Sequence, residues 1–431
     1  MLLKLKNVGR LKSAEVKING ITVICGNNNT GKSTVGKILY CICDSLHNLE
    51  ESILNEKIKS IARAVFFIHS SYRFIHDIDF MSLTIERYKS DILTAINSGK
   101  TGKYITSMLI KLLDSKISES DHQKLSDRID TILKTSAKEI VSNFIKRRII
   151  AEFGDKLGNV SYPQVKTYAE LRIKNDSITF SYFGDSKKLI SDKFFSLRKK
   201  LIYIDDPFII DDINDRLSDD KYTDNYRHRS RILEMLRKSV YRTEQTSIEE
   251  IIDSKKIRMI INTINSVSDG ELVFEESNFV YKHSKLRESL SLQSVSTGIK
   301  TFIVIKKLLQ DRILEENGIA VFDEPEVHLH PEWQIKFAEI IVMLHKAYGL
   351  NILLTTHSME FLSAIDYFSQ KHGIENVCSY YLTELEKAKS KDDFPDAVIH
   401  EMTDDKEKLY ASISAPFLAL YNQMGSENEI Y

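Results

Sequence analysis

The sequence lacks several features that would assign it to a specialised class. Its 431 residues hold only four cysteines, Cys25, Cys41, Cys43 and Cys378, and no Cys-x-x-Cys pair. That usage suits a reducing compartment and argues against a disulfide framework, so each thiol is expected to be a small buried apolar group. No apolar stretch approaches the length of a membrane span. The first residues, Met1-Leu2-Leu3-Lys4-Leu5-Lys6, alternate charge with apolar side chains where a signal peptide needs an unbroken apolar run. The expectation is a cytoplasmic protein with no membrane partner. Charge of one sign is also missing, since 60 Lys and Arg stand against 61 Asp and Glu for a formal net charge of -1. A whole-molecule electropositive signature is thereby excluded, leaving room only for a local basic surface and thus for nucleic acid at such a surface. There is no internal repeat and no low-complexity linker.

What remains is an ordinary globular composition, 42% hydrophobic and 28% charged, long enough for one large α/β core with an insertion or for two to three smaller domains. The first twenty-five residues read as strands: Leu3 to Lys6 and Ala14 to Ile18 alternate with period two, and Ile21-Thr22-Val23-Ile24-Cys25 is a continuous apolar run. A helix carrying Val35, Ile38, Leu39 and Ile42 follows a glycine-bearing loop. From about 50 to 150 proline is absent and glycine nearly so, and spacings such as Ile105-Met108-Leu109-Leu112 predict helices. A hairpin is expected over 165–183, with Asn175-Asp176 at its turn. Leu201 to Ile204 reads as a further strand, 211–265 as a polar, basic helical stretch, and Leu272 to Phe274 and Phe279 to Tyr281 as two strands. The last third alternates helix 299–315, strand 319–322, helix 332–348, strand 352–356, helix 358–370 and strand 377–382, the pattern of a mostly parallel sheet with covered faces. These readings divide the chain into 1–50, one end of a core; 51–200, a mainly helical insertion; 201–284, a linking segment; and 285–431, the other end of the core.

Three strings carry chemistry. Gly26-Asn27-Asn28-Asn29-Thr30-Gly31-Lys32-Ser33 joins an apolar strand to a helix. Its glycines let successive N–H groups turn toward one point, and the helix, which continues with Thr34, adds its positive end there. A polyphosphate fits such a loop, with Lys32 as the point charge for the β- and γ-phosphates and the Ser33 hydroxyl as a Mg²⁺ ligand, so ATP and Mg²⁺ are the expected cofactors. The second string, Ile319-Ala320-Val321-Phe322-Asp323-Glu324, sends two carboxylates from the end of a buried strand. Asp323 is expected to hold Mg²⁺, and Glu324 to orient the water attacking the γ-phosphate. In the third, Thr355-Thr356-His357-Ser358, His357 is placed to donate a hydrogen bond to the γ-phosphate or the water. Lys32, Glu324 and His357 are the expected catalytic groups.

These strings, GNNNTGKS, IAVFDEPEVHLHP and LLTTHSMEFL, resemble the ATPases of the SMC/RecF/OLD-like branch of the ABC superfamily over residues 1–45 and 285–385. The resemblance implies an α/β ABC-type P-loop head with a mixed, mostly parallel sheet, split by a large helical insertion. It also implies a homodimer or higher homo-oligomer, in which two heads sandwich ATP and a signature loop reaches across to the γ-phosphate. The matching segment is Val295-Ser296-Thr297-Gly298-Ile299-Lys300, where Ser296 and Gly298 supply a hydroxyl and an approachable backbone; a plain serine cap on a helix explains the string equally well. Thr297 stands where the family commonly has glycine, and no glutamine loop is evident.

His328 and His330 invite a metal reading, but no third ligand accompanies them and the resemblance makes their stretch a subunit-contact loop. Arg227, His228, Arg229, Arg231, Arg237, Lys238 and Arg242 offer a surface for phosphates or a partner, but they are interleaved with Ile232, Met235 and Leu236, which favours an ordinary amphipathic solvated helix. After the strand ending at Leu382 ~50 residues remain, at the bottom of the domain-size range, so any nuclease is expected to be a separate protein. The resemblance thus suggests the sensor or regulatory ATPase of a bacterial anti-phage system, of Septu or PARIS type, controlling a separate effector. The alternatives are a RecF-like DNA clamp, a transporter cassette and a nucleotide-gated scaffold with negligible turnover.

Overall fold

The computed structural model describes residues 1–73, 78–113, 117–154, 156–159, 164–183, 186–189, 194–215, 227–239, 257–387 and 394–428. It divides into two compact units, one formed by 1–44, 146–194 and 199–431 and the other by 45–145 and 195–198.

The larger unit is built on an 11-stranded mixed sheet in the order β6-β5-β4-β1-β2-β13-β12-β3-β11-β10-β7. The strands are β1 (Leu2–Val8), β2 (Leu11–Lys17), β3 (Ile21–Gly26), β4 (Thr167–Ile173), β5 (Asp176–Phe183), β6 (Ser186–Leu189), β7 (Leu201–Ile204), β10 (Ile319–Asp323), β11 (Asn351–Thr356), β12 (Cys378–Leu385) and β13 (Ala397–Glu401). From β12 through β3, β11 and β10 to β7 every pairing is parallel, and the run β6-β5-β4-β1-β2 is antiparallel. The difference follows from burial. In β3, β7 and β10 every residue is buried, as parallel strands covered on both faces require, whereas β2 alternates buried and exposed positions. A separate hairpin pairs β8 (Glu271–Glu275) with β9 (Asn278–Lys282). The fold is α/β.

Helices α1 (Lys32–Leu46), α6 (Ala137–Phe153), α7 (His228–Ser239), α8 (257–265), α9 (Thr297–Gln310), α10 (Pro331–Tyr348), α11 (Met359–Lys371) and α12 (Lys406–Asn428) accompany the strands in the chain. Phe337 of α10 centres an aromatic group in the core, edge-on to Phe302 and Phe322 and stacked on Phe361. Pro331 opens α10 where its missing N–H costs nothing, and Gly349, at φ +61°, closes it with a left-handed cap. All four cysteines are free and buried.

The second unit comprises α2 (Leu49–Arg73), α3 (Ile78–Asn97), α4 (Gly102–Leu112) and α5 (Glu119–Lys134), around Ile58, Ile61, Val65, Ile92, Ile105, Leu109, Leu125 and Ile129. Thr101 and Ser118 cap α4 and α5. Gly102 lets the start of α4 lie against α5, because a Cβ there would come within 2.2 Å of the Ser126 carbonyl, and its N–H reaches Asp130 at 2.6 Å.

Several expectations shift. The hairpin near 165–183 belongs to the large sheet, and its two-residue turn is Lys174-Asn175, one residue earlier than expected, because Ile173 pairs with Asp176. The helix expected over 299–315 ends at Gln310, where Arg312 takes φ +53° and the Ile313 and Leu314 amides both turn back to the Leu308 carbonyl. The basic stretch is described only as a 3-10 turn over Pro207–Asp212, α7 and α8; Arg242 lies outside the described residues. The strands β6 and β13 and the helix α12 have no counterpart in the sequence reading.

Candidate functional site

The parallel register brings the carboxyl ends of β3, β11, β10 and β7 side by side. Thr356 pairs with Cys25, Asp323 with Thr355, and Phe322 with Ile204. In such sheets that edge is where ligands bind, and all three chemical strings open onto it.

The loop after β3 is shaped by two glycines that no other residue would replace. Gly26 has φ +143° and the place of a Cβ is taken by Thr383 of β12 at 2.1 Å; Gly31 has φ +87° and the Leu11 side chain at 2.7 Å. Asn29 also takes a left-handed conformation, φ +60°, which asparagine tolerates better than most residues. The Thr30 hydroxyl donates to the Asn27 carbonyl at 2.7 Å and touches the Thr383 hydroxyl. The Lys32 side chain, only 3% exposed, curls over the loop: its Nζ donates to the Gly26 and Asn27 carbonyls, both at 2.9 Å, and lies 3.1 Å from Glu324 Oε1. A buried ammonium is thus held by two carbonyls and one carboxylate, the compensation that burial of a charge demands.

Asp323 is held from three elements. Its Oδ1 accepts from Ser33 of α1 at 3.0 Å and from Thr355 of β11, and its Oδ2 accepts from Tyr203 of β7 at 2.8 Å. Glu324 follows in a left-handed conformation, φ +49°, its N–H donating to the Thr355 carbonyl and hydroxyl. A non-glycine residue there costs of order 1–3 kcal/mol, a strain that concentrates at functional sites. His357 places Nδ1 3.7 Å from Glu324 Oε1 and 3.9 Å from Glu326 Oε1, too far for hydrogen bonds.

Lys32, Ser33, Asp323, Glu324 and His357 therefore share one site. No hydrogen bond or ion pair ties Ser296 or Gly298 to residues 26–34, 323, 324 or 357. Ser296 occupies the cap position of α9, yet its side chain makes no cap hydrogen bond, which takes away the main reason for reading it as a helix cap. A Cβ on Gly298 would meet Trp333 at 2.9 Å and the His328 carbonyl at 3.1 Å. The residues fit a divalent ion of hard character, since the Ser33 hydroxyl and an Asp323 carboxylate oxygen converge beside the loop. Among the described residues no group of three or more His, Cys, Asp or Glu converges on one point. At the carboxyl end of β7, where Asp205, Asp206 and Pro207 continue the chain, there is no glutamine.

Three residues at the site have roles the sequence reading did not give them. Tyr203 is one. Glu326, 1% exposed, accepts from the Thr356 hydroxyl at 2.5 Å and the His357 N–H at 3.2 Å, while its Oε2 has no partner. Burial pushes its carboxyl up, against the lowering effect of those hydrogen bonds. Arg10, in the β1–β2 turn, donates from Nη1 to the Asn29 carbonyl at 2.7 Å and stacks on Phe394 at 4.0 Å. Glu326 had a signal, its place in Asp323-Glu324-Pro325-Glu326; Tyr203 and Arg10 had none.

The family model described as an AAA ATPase domain matches residues 1–362. The chain belongs to that family. It is therefore an ATPase, as the sequence motifs implied. Among solved structures it is similar to an SMC head domain from Thermotoga maritima, at 12% identity and TM-score 0.34 over 93% of this chain and 97% of that one. It is also similar to an SMC head bound to the C-winged helix domain of ScpA, at 10% identity, TM-score 0.39 and coverage of 94% and 98%. A third similar structure, from Pyrococcus furiosus, is an SMC head with an extended coiled coil bound to the C-terminal domain of ScpA, at 11% identity, TM-score 0.38 and coverage of 95% and 98%. No described helix of this AAA-family chain is long and apolar enough to cross a membrane.

Proposed function

We propose that the chain binds ATP with Mg²⁺ between two copies of itself and, as the sensor or regulatory subunit of a bacterial anti-phage complex, controls a separate effector such as a nuclease. The observation that carries the nucleotide part is the Lys32–Glu324 ion pair beside the Ser33–Asp323 hydrogen bond. Gly26 to Thr34 cradle the phosphates, and Lys32 leaves Glu324 for the β- and γ-phosphates. Glu324, released from its counter-ion, then accepts a proton from the attacking water. Ser33 and Asp323 hold Mg²⁺, which when bound neutralises charge on the phosphate oxygens. His357, tethered through its own N–H to Glu326, donates to the γ-phosphate. Ser296 and Gly298 have no tie to these residues in their own chain, which supports their acting across a dimer; ATP and a second copy complete the site.

The defence role rests on the resemblance carried by DEPEVHLHP and TTHS, and the cytoplasmic setting on the free thiols. The clamp alternative draws no support from α7. Arg229 pairs with Asp205 and Asp206, Arg231 with Asp44 and Glu234, and Lys238 with Glu234, while Arg237 caps the carbonyls of Asp212, Ile213 and Asp215. A basic segment spent on internal partners offers little to a phosphate backbone.

Glu324→Gln tests both parts. With ATP the variant is expected to accumulate as a dimer by light scattering, and cells carrying the intact locus with this change are expected to lose phage resistance. A variant that stays monomeric with ATP removes the sandwich, and unchanged resistance removes the defence role.

A further inference from the structure

Tyr203 enters none of the motifs, yet the site is built around it. It lies on β7 opposite Val321 of β10, two residues before Asp323 in that register, is 1% exposed, and gives its only hydroxyl proton to Asp323 Oδ2 at 2.8 Å. Ser33 and Thr355 both bind the other oxygen, Oδ1. Each carboxylate oxygen thus has its own set of donors, and rotation of the carboxylate about its last bond would break all of them at once.

The surroundings make room for the ring. α1 passes over it at Gly36, where a Cβ would lie 2.8 Å from Tyr203 Cε2 and 2.9 Å from Val321 Cγ1. A glycine in the middle of a helix weakens it relative to alanine, so here the sequence gives up helix stability for the space the ring fills. The ring also packs against His228, with centroids 4.3 Å apart. His228 is itself fixed, with Nδ1 2.9 Å from both Glu152 oxygens and Nε2 3.0 Å from Asp205 Oδ2. Tyr40 of α1 meets both rings edge-on. Helix, strand and buried imidazole together leave the phenol one direction, toward Asp323.

We propose that Tyr203 is a positioning residue for the metal-binding carboxylate, its hydroxyl holding Asp323 Oδ2 so that Oδ1 stays turned to Ser33 and to the divalent ion. This rests on the reading of Ser33 and Asp323 as the Mg²⁺ ligands. The Tyr203 hydroxyl is buried and given to Asp323, so its loss is expected to affect how much Mg²⁺ the site needs rather than whether the nucleotide is held.

The test is Tyr203→Phe in the full chain, which keeps the ring and its packing against Gly36 and His228. Binding of a fluorescent ATP analogue is titrated with Mg²⁺, beside binding in EDTA and the Mg²⁺ dependence of turnover. The expected result is about a ten-fold rise in the Mg²⁺ needed for half-maximal binding and turnover, the size of one lost hydrogen bond to a charged group, with affinity in EDTA unchanged and turnover recovering at saturating Mg²⁺. An unchanged Mg²⁺ requirement overturns the proposal, and so does an equal loss of affinity in EDTA, which would mark a merely structural tyrosine. Asp323→Asn separates this from failure of the underlying reading: if that variant keeps the normal Mg²⁺ requirement, Asp323 is not the ligand. If it loses Mg²⁺-dependent binding while Tyr203→Phe keeps it, only the role of Tyr203 falls. Thermal melting of each variant in EDTA identifies an unfolded protein, and an unfolded Tyr203→Phe also overturns the proposal, since the hydroxyl would then be holding the fold.

Discussion

Glu326 and Lys32 show how closely the site residues are matched to one another. The Glu326 carboxyl is pushed up by burial and has one oxygen unpartnered, while the other oxygen joins the Thr356 hydroxyl to the His357 amide. Glutamine reproduces its shape and its accepting oxygen without a charge. Glu326→Gln is therefore expected to stay within ~1 kcal/mol of the parent in chemical denaturation, and Glu326→Ala to lose about 1–3 kcal/mol by leaving a buried hydroxyl unpaired. Turnover should follow the same order, because the His357 loop loses its anchor only in the alanine variant; equal stability of the two variants would remove that account. Lys32→Ala is expected to abolish binding of a fluorescent ATP analogue, since Lys32 supplies the charge inside the loop. Glu324→Gln should keep that binding and lose about 10²–10⁴-fold in single-turnover hydrolysis, the usual contribution of a general base. That Lys32, Ser33, Asp323 and Glu324 would meet was legible because phosphate chemistry requires those residue types within short strings. Glu326 was visible as a letter of its motif, but not as the tether of His357, because a hydrogen bond between residues 30 positions apart leaves no local pattern.

At the scale of elements, β7 and α7 are joined by a buried charge cluster. Burial works against the charged His228 ring, but the Asp205 and Glu152 carboxylates beside it outweigh that and raise its pKa above 6.5. For Asp205 burial also opposes charge, yet His228 and Arg229 bring it down to about 2 from 3.8. The signs give opposite limbs. The raised His228 stabilises the fold fully below 6.5, and that contribution is lost as pH rises through its higher folded value. The lowered Asp205 stabilises the fold above 3.8, and its share is lost as pH falls toward about 2. The cluster therefore contributes most between pH 3.8 and 6.5. His228→Gln should flatten the alkaline fall of the melting temperature, and a variant profile parallel to the parent's would contradict this. Gly36 on α1 gives a second element-scale outcome: Gly36→Ala gains about 1 kcal/mol of helix propensity, but forces the helix off Tyr203 and Val321, an overpacking cost of about 1–3 kcal/mol. The net effect in chemical denaturation should be destabilising. The apolar strands and the helices after them could be read from periodicity. β6 and β13 could not, being short and, in β6, carrying two lysines among four residues, and the end of α9 was misjudged because Arg312 carries no sign of the left-handed turn it adopts.

For the whole molecule, the near-balance of charge turned out to be local as well as global wherever α7 is described, because its arginines answer neighbouring carboxylates and carbonyls. Duplex DNA is accordingly expected to bind weakly in low salt with ATP, and a tight complex whose affinity falls steeply with salt would restore the clamp alternative. The sequence by itself determined that this is an ATPase with an α/β head, since a phosphate loop after an apolar strand and an acidic pair after another are contiguous signals that need no partner to be recognised. It also indicated a helical region between the two ends of the core. Only the tertiary structure decided that β4, β5 and β6 extend the large sheet and that Tyr203 reaches Asp323 across 120 positions of sequence. The physical reason is the same in each case: strand order and buried hydrogen bonds are fixed by which surfaces pack, and packing joins residues whose separation along the chain carries no pattern.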